Sequence, residues 1–375
     1  MTVHQIFPEN YTAQLSAKTR ELTQLLAEFT PPDLEVFESP RSHYRMRAEF
    51  KIWHQDNQVH YAMYQPGEYR KPFVIKDFPV ASEQINALMP LLLRELNQSE
   101  ILKKRLFQAE FLNTLTGDTV ITLIYHKPLS DEWHQQATLV AQKLGVSIIG
   151  RSRKQKRVIG RDFVEETLTV NQRPFHYQQV EASFTQPNAK VCEKMLAWAV
   201  DCAGKQERDL LELYCGNANF TIPLSFCFRR VIATEISKTS VKSARCNLQK
   251  NDVGNVEVVR MSSEEFAEAM SGTRRFQRLA DISLQEYDFS TVLVDPPRAG
   301  LDDLTVEIVS RFERIIYISC NPQTLKKNLE VLTKTHTIIR FALFDQFPYT
   351  HHIESGVLLI RKDRSGSKDL PGAKA

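Results

Sequence analysis

The stretch Arg314–Asn328, RIIYISCNPQTLKKN, decides the fold. Its first part is a short apolar run of β-branched and aromatic residues, the pattern of a strand buried on both faces. Asn321-Pro322 follows with an N-cap residue and a first-turn proline, so a helix begins as soon as the strand ends. Cys320 sits at that junction. In a sheet built from such strand–helix units, the residue directly after a strand faces the ligand cleft.

Working outward, the same alternation fills the chain from Asp209 onward. DLLELY, RRVIATE, VEVVRM and TVLVDPP read as strands, each followed by a helix-like stretch, and Ser262 with Glu265 forms a capping box. TIIRFALFDQF and GVLLIRK then follow each other without a helix between them and form a closing hairpin. The order predicts an α/β fold: a doubly wound, Rossmann-like, mostly parallel sheet of seven strands whose last hairpin is antiparallel. The first half reads differently. ENYTAQLSAKTRELTQLLAEF (residues 9–29) has apolar residues at helical spacing and stops at Pro31-Pro32, an amphipathic helix free to pack on the second half. From about Phe37 to Ile149, strand-like RMRAEFKIWH, VHYAMYQP and TVITLIYH alternate with helix-like segments, as in an α+β domain with an antiparallel sheet. Domains are therefore expected at residues 1–180 and 181–362, with a loose polar tail at 363–375.

Composition narrows the function classes. The chain has 375 residues, and 48 basic against 45 acidic residues leave a net charge of +3, which by itself selects neither nucleic acid nor membrane. All six cysteines lie from Cys192 onward without a CxxC pair, so neither a zinc site nor a disulfide framework is indicated, and a reducing cytoplasm fits. No signal segment or membrane span is seen, and no obligate protein partner is evident. His351-His352 lacks partners in a metal-binding pattern, so no metal is expected. Two basic clusters stand out: RSHYRMRAEFK (Arg41–Lys51), which includes Arg47 and Lys51, and RSRKQKRVIGR (Arg151–Arg161). Interleaved with Tyr44, Phe50, Trp53 and Phe107, they suit RNA, with phosphates on cations and bases on rings; a solvated surface is the alternative.

The strand ends carry the chemistry. Gly216 in ELYCGNANF allows close backbone approach, and Glu235 lies 19 residues on (235 minus 216), where a carboxylate takes ribose hydroxyls. Ala218 breaks the GxGxxG pattern, which disfavours NAD and leaves a nucleoside cofactor without a pyrophosphate, such as S-adenosylmethionine. Asp295-Pro296-Pro297 is a stiff segment whose carboxylate and carbonyls face the cleft, and Arg298 after it suits a reaction that builds negative charge on a base. The helix that starts behind Cys320 is expected to favour its thiolate. If the last strand runs antiparallel beside the fifth, Glu354 meets Cys320 across 34 positions (354 minus 320). C5 of uracil is a poor nucleophile until a thiolate adds to C6, and its proton must later be removed by a base. Cys320 as nucleophile, Glu354 as proton acceptor and Arg298 as enolate stabiliser fit that chemistry.

FTQPN, LLELYCGNANF, ATEIS, VDPPRAGLD, YISCNPQTL and LFDQFPYTHHIESGVLL, with SHYRMRAEF in the first half, resemble the bacterial tRNA (uracil-5-)-methyltransferases of the TrmA type over nearly the whole chain. The resemblance implies S-adenosylmethionine-dependent formation of 5-methyluridine at uridine-54 in the T-loop, with the tRNA T-arm and other RNAs bearing a T-loop-like structure as partners. It also implies cofactor contacts from Gln186, Tyr214, Asn219, Glu235 and Asp295, and places Phe107 of RLFQ and His126 of LIYHK near the RNA. Two departures stand out: Ala218 replaces a glycine common in the family, and Pro223 falls within the following helix. Related rRNA enzymes carry a cysteine cluster for an iron–sulfur centre; with no cysteine before Cys192, no such centre is expected and tRNA is the better substrate. The rival readings are an rRNA uracil-5 or RNA cytosine-5 methyltransferase, an RNA-binding or RNA-folding protein retaining the fold, and, weakest, a NAD-dependent oxidoreductase.

Overall fold

The computed structural model describes residues 6–64, 67 and 72–362; the expected tail at 363–375 lies outside them. The chain opens with α1 (Tyr11–Leu26), whose buried Tyr11, Leu15, Lys18, Leu22 and Leu26 recur at three to four residues and so share one face. Strand β1 (Leu34–Phe37) follows. A second layer comprises β2 (Arg47–Gln55), β3 (Gln58–Tyr64), β4 (Pro72–Val74), α2 (Glu83–Gln98) and α3 (Glu100–Lys103). It continues with β5 (Leu106–Asn113), β6 (Thr119–Tyr125), α4 (Asp131–Leu144), β7 (Ser147–Ser152) and β8 (Gln155–Ile159). These strands form a seven-stranded sheet in the order β4-β3-β2-β5-β6-β7-β8, antiparallel except at the β6·β7 pair. Helices α2 and α4 cover one face, with Trp133 of α4 in the same core as Phe50, Tyr61 and Phe111 of the sheet.

A hairpin of β9 (Phe163–Val170) and β10 (Arg173–Val180) leads into the catalytic half. That half runs α5 (Ala189–Ala203), β11 (Asp209–Leu213), α6 (Thr221–Ser225), β12 (Val231–Thr234), α7 (Lys238–Lys250), β13 (Val256–Val259) and α8 (Ser263–Met270). It ends with β14 (Phe289–Val294), α9 (Asp303–Val309), β15 (Arg314–Ser319), α10 (Pro322–Leu332), β16 (His336–Phe344) and β17 (Glu354–Arg361). Side chains along β15 alternate between the two cores, Ile315 and Tyr317 on one face and Ile316 and Ile318 on the other, because a strand's period is two. The capping box at Ser262 and Glu265 and the Asn321 cap are both present.

The sheet has eight strands rather than seven, in the order β1-β16-β17-β15-β14-β11-β12-β13, and β17 is the antiparallel member. The eighth is β1, paired in parallel with β16 from Leu34↔Phe341 to Phe37↔Phe344 and held by a two-pronged contact of Arg340 with Glu35, at 2.9 and 2.7 Å. Four residues are too few to carry a periodic signal, and only the open edge of β16 makes a strand of them. Core packing runs across residue 180: α1 packs into one core of the second half, as its amphipathic face allowed, and Leu168, Val170, Phe175 and Tyr177 of the β9–β10 hairpin lie in the other. Pro223 sits in a helix of only five residues, and Cys227 lies in the turn after it. Among the described residues no helix is long and apolar enough to cross a membrane.

Helix α1 is pinned by a buried ion pair. Lys18 Nζ donates to Asp345 Oδ1 at 2.7 Å and to the Phe347 carbonyl at 2.8 Å, and Gln14 donates to Asp345 Oδ2 at 3.0 Å. Both charged side chains are almost fully buried. Removing one partner leaves an unpaired charge in low dielectric. Asp345→Ala should therefore cost about 3–5 kcal/mol, read as a lowered urea midpoint. Lys18→Met with Asp345→Leu should recover most of that loss.

Candidate active site

One cavity of about 930 Å³ opens at the carboxyl ends of the catalytic strands. That is the place where an open α/β sheet binds its ligand. Its wall contains Cys320, Glu354, Arg298, Asp295, Gly216 and Glu235, together with Gln186, Tyr214 and Asn219. All nine catalytic and cofactor candidates of the sequence reading therefore meet in one space.

Strand pairing sets the reacting end. β17 runs antiparallel to β15 with Ser319 opposite Ser355, and one more step in that register sets Cys320 opposite Glu354. Ser355 Oγ donates to the Ser319 carbonyl at 3.2 Å, which fixes the strand ends beneath the cavity. Glu354 is 3% exposed and its carboxyl accepts no hydrogen bond from the described residues. Burial, and then the charge of Asp295, hold it well above the usual carboxylate range. Asp295 lies half-buried at the end of β14, and burial pushes its carboxyl up to about 7.

The Cys320 thiol departs from expectation. Burial raises it to about 11, Glu354 and Asp295 add to the rise, and Arg298 opposes it. Desolvation and two nearby carboxyls thus outweigh the helix N-terminus that was expected to favour the thiolate. Arg298 lies exposed on the cavity wall, where its Nη2 donates to His352 Nδ1 at 2.9 Å. Asn321 and Thr324, from the first turn of α10, donate to its carbonyl and fix the Asp295–Arg298 segment against the Cys320 turn.

The cofactor end is built by the loop after β11. Tyr214, Gly216 and Ala218 all have positive φ, 64°, 57° and 69°. Glycine takes this region freely, whereas the alanine methyl does so at a cost of roughly 1–2 kcal/mol. Ala218 is fully buried in the core beneath the loop, so the alanine narrows the backbone without closing the cavity. Glu235 Oε2 accepts from Gly216 N–H at 3.1 Å and Oε1 from Ser237 N–H at 2.7 Å, which leaves a further lone pair on each oxygen for ribose hydroxyls. Tyr214 is held by a 2.6 Å bond between its hydroxyl and Ser263, and Gln186 accepts from Gln346 at 3.3 Å. The donor set fits S-adenosylmethionine: a ribose-binding carboxylate at one end, and buried carboxyls short of protein partners that suit a ligand bearing a sulfonium and an ammonium.

The RNA candidates are placed differently from one another. Phe107 stacks on His126 with ring centroids 4.2 Å apart, and Lys51 Nζ lies 4.2 Å above the Phe107 ring, an exposed ridge on the second sheet. Arg47 turns inward and donates to the carbonyls of Glu181 and Ser183 at 2.9 and 3.0 Å, so it holds the linker beside the cavity. The Arg151–Arg161 cluster is largely paired: Arg151 with Glu181, Lys156 with Asp162, Arg157 with Asp131 and Arg161 with Asp118. Asp162 directly follows the run, while Glu181, Asp131 and Asp118 come from farther away in the chain, where local composition gives no sign of them. Two cavity residues escaped the sequence reading: Phe184, 74% exposed at the mouth, and His352, set aside there as a metal ligand. The signal for His352 was its place two residues before Glu354. Among the described residues no group of three or more His, Cys, Asp or Glu is arranged to hold a metal ion.

Comparison with known proteins places this architecture. The family model described as tRNA (Uracil-5-)-methyltransferase matches residues 10–362. The chain belongs to that family. A tRNA/tmRNA (uracil-C(5))-methyltransferase of Saccharophagus degradans is 58% identical over 359 residues, covering 96% of this chain and 98% of that protein. One of Acinetobacter baumannii is 56% identical over 355 residues, covering 93% and 98%. Among solved structures, Pyrococcus abyssi tRNA (uracil-54, C5)-methyltransferase in complex with S-adenosyl-L-homocysteine superposes with a TM-score of 0.73 at 22% identity, covering 94% of this chain and 84% of that one. The fold is thus the Rossmann-like methyltransferase fold.

Asp295 gives a stability signature. Its folded pKa of about 7 lies above the ordinary 3.8, so folding takes up a proton and stability falls as pH rises between those values. Asp295→Asn without ligand should melt at a higher temperature than the parent protein at pH 8, and the difference should close as pH falls toward 4. Thermal melts across pH check this.

Proposed function

We propose that this protein methylates C5 of a uridine in tRNA, uridine-54 of the T-loop, with Cys320 as nucleophile and Glu354 as proton acceptor. The observation that carries the reading is the strand register that sets Cys320 opposite Glu354 at the edge of the cavity holding Asp295 and Glu235. S-adenosylmethionine, when bound, supplies an electrophilic methyl group. Glu235 would hold its ribose, and Gln186, Tyr214, Asn219, Gly216 and Asp295 would line the rest of its place.

Cys320 gives up its proton to solvent water in the open cavity and adds as the thiolate to C6 of the ring, and the electron pair of the C5–C6 double bond moves toward the C4 oxygen as an enolate. Arg298 or its neighbours carry the donors near that charge. After C5 has gained its methyl group, Glu354 removes the remaining C5 proton, the double bond re-forms and the thiolate leaves. Glu354 suits this step because burial makes it a stronger base than an exposed carboxylate. The base must leave its stack for C6 to meet sulfur, so the uridine is flipped into the cavity.

The ridge of Lys51, Phe107 and His126, with Trp53 42% exposed on the neighbouring strand, supports the T-arm as partner, since it offers cation and stacking surface together. The relatives' names cover tmRNA as well, which favours a shared T-loop-like structure over a whole tRNA as the recognised unit.

Incubation with unmodified tRNA and labelled S-adenosylmethionine, followed by mapping of the labelled nucleotide, tests the reading; label on cytidine or on an exocyclic amine overturns it. Cys320→Ala should abolish methyl transfer while tRNA binding persists. Glu354→Gln should accumulate a protein–RNA adduct that survives denaturing electrophoresis and is absent when Cys320 is also replaced. Replacing Phe107 by Ala should weaken tRNA binding by about 1–3 kcal/mol, read in filter binding. Lys51→Ala should weaken it with a shallower salt dependence.

A further inference from the structure

We propose that His352 recognises the target base, its Nε2–H donating to the C4 carbonyl oxygen of uracil, with Arg298 as the positioning residue behind it. The inference rests on the uracil reading above and assigns to a histidine the contact otherwise expected of Arg298.

His352 lines the catalytic cavity beside Cys320, Glu354 and Arg298. Its Nδ1 lies 2.9 Å from Arg298 Nη2. A guanidinium has only donors and keeps its charge, so Nδ1 must be the acceptor. A neutral ring then carries its one proton on Nε2. Burial and the nearby His351, Arg298, Lys18 and Arg45 lower the basicity of the ring, which keeps it in that neutral form. Nε2 makes no hydrogen bond with any described residue, so its donor is free. The ring is held in place: the Phe347 ring meets it edge-on at 5.6 Å, the His351 ring lies 4.2 Å away, and the His352 backbone N–H donates to Thr350 Oγ1 at 3.2 Å.

The order of atoms in the pyrimidine ring gives this donor its target. Sulfur meets C6, the base meets C5, and C4 with its oxygen is next along the same edge; the C2 oxygen is on the far side. Sharing the cavity wall with Glu354 and bonded to Arg298, the His352 donor is assigned to O4. Uracil presents an acceptor there, whereas cytosine presents an amino group, so the same N–H accepts one base and opposes the other. The contact also strengthens during the reaction, because thiolate addition at C6 moves negative charge onto O4. The Arg298 cation, bonded to the opposite ring nitrogen, polarises the ring and makes Nε2–H a better donor.

The test uses the full-length protein with two transcripts of one tRNA, identical except that the mapped target uridine is a cytidine in the second. His352→Phe keeps a ring but no donor; His352→Gln offers an amide N–H near the place of Nε2. His352→Phe should lower kcat by about 10²–10³-fold with KM for tRNA little changed, and should narrow the preference for uridine over cytidine. His352→Gln should regain at least tenfold of the lost kcat. If His352→Phe keeps kcat within threefold of the parent, the proposal is overturned. It is overturned too if both variants melt and bind tRNA like the parent yet lose activity equally, which marks a packing role. Retained methylation by Cys320→Ala would instead remove the uracil mechanism itself, and the His352 assignment with it.

Discussion

The antiparallel contact of β17 with β15 is the constraint on which the site depends. Residues 319 and 355 are far apart in the chain, and only their pairing sets Cys320 opposite Glu354. The pairing in turn requires space on β17. At Gly356 a Cβ would lie 3.0 Å from both the Phe344 and Trp198 rings, so this glycine lets α5 and β16 close onto the strand that carries Glu354. Shifting β17 by a single residue would turn Glu354 to the opposite face.

That geometry concentrates acid. Glu354, Asp295 and Cys320 share one wall and each is pushed toward its neutral form, for the common reason that burial penalises charge. Such a wall is costly to ionise when empty of cations and eased by a positively charged ligand. The same energetics suit a ligand that brings positive charge to this wall.

The two sheets are joined to this wall by polar contacts as well as by apolar packing. Arg47 holds the carbonyls of Glu181 and Ser183, while the Glu181 carboxylate takes Arg151 in a two-pronged contact and Thr122 as well. The linker that carries Phe184 and Gln186 into the cavity is thus tied to the open face of the RNA-side sheet. On the opposite flank, Tyr44 and Tyr349 bond carbonyls across the two halves, and Lys18–Asp345 anchors the β16–β17 connection to α1. Both ends of the cavity are thus tied to the second sheet or to α1.

The alternation of strands and helices from Asp209 onward, the caps at Ser262 and Asn321, and the placement of Gly216, Glu235, Asp295 and Cys320 after strands were legible in the sequence, because they depend on neighbours a few residues away. Family resemblance added Gln186, Tyr214 and Asn219, whose spacing alone carries no message. What the chain order could not reveal was settled by distant partners. β1 is a strand only because β16 offers an edge, and Arg151, Arg157 and Arg161 find their acids, Glu181, Asp131 and Asp118, at distant positions. Cys320 is a raised thiol because the fold buries it and brings two carboxyls near, and His352 meets Arg298 across 54 positions. Local sequence fixes backbone periodicity and caps, since those energies act within a helical turn; charge state and side-chain purpose depend on burial and long-range contact, which exist only in the folded chain.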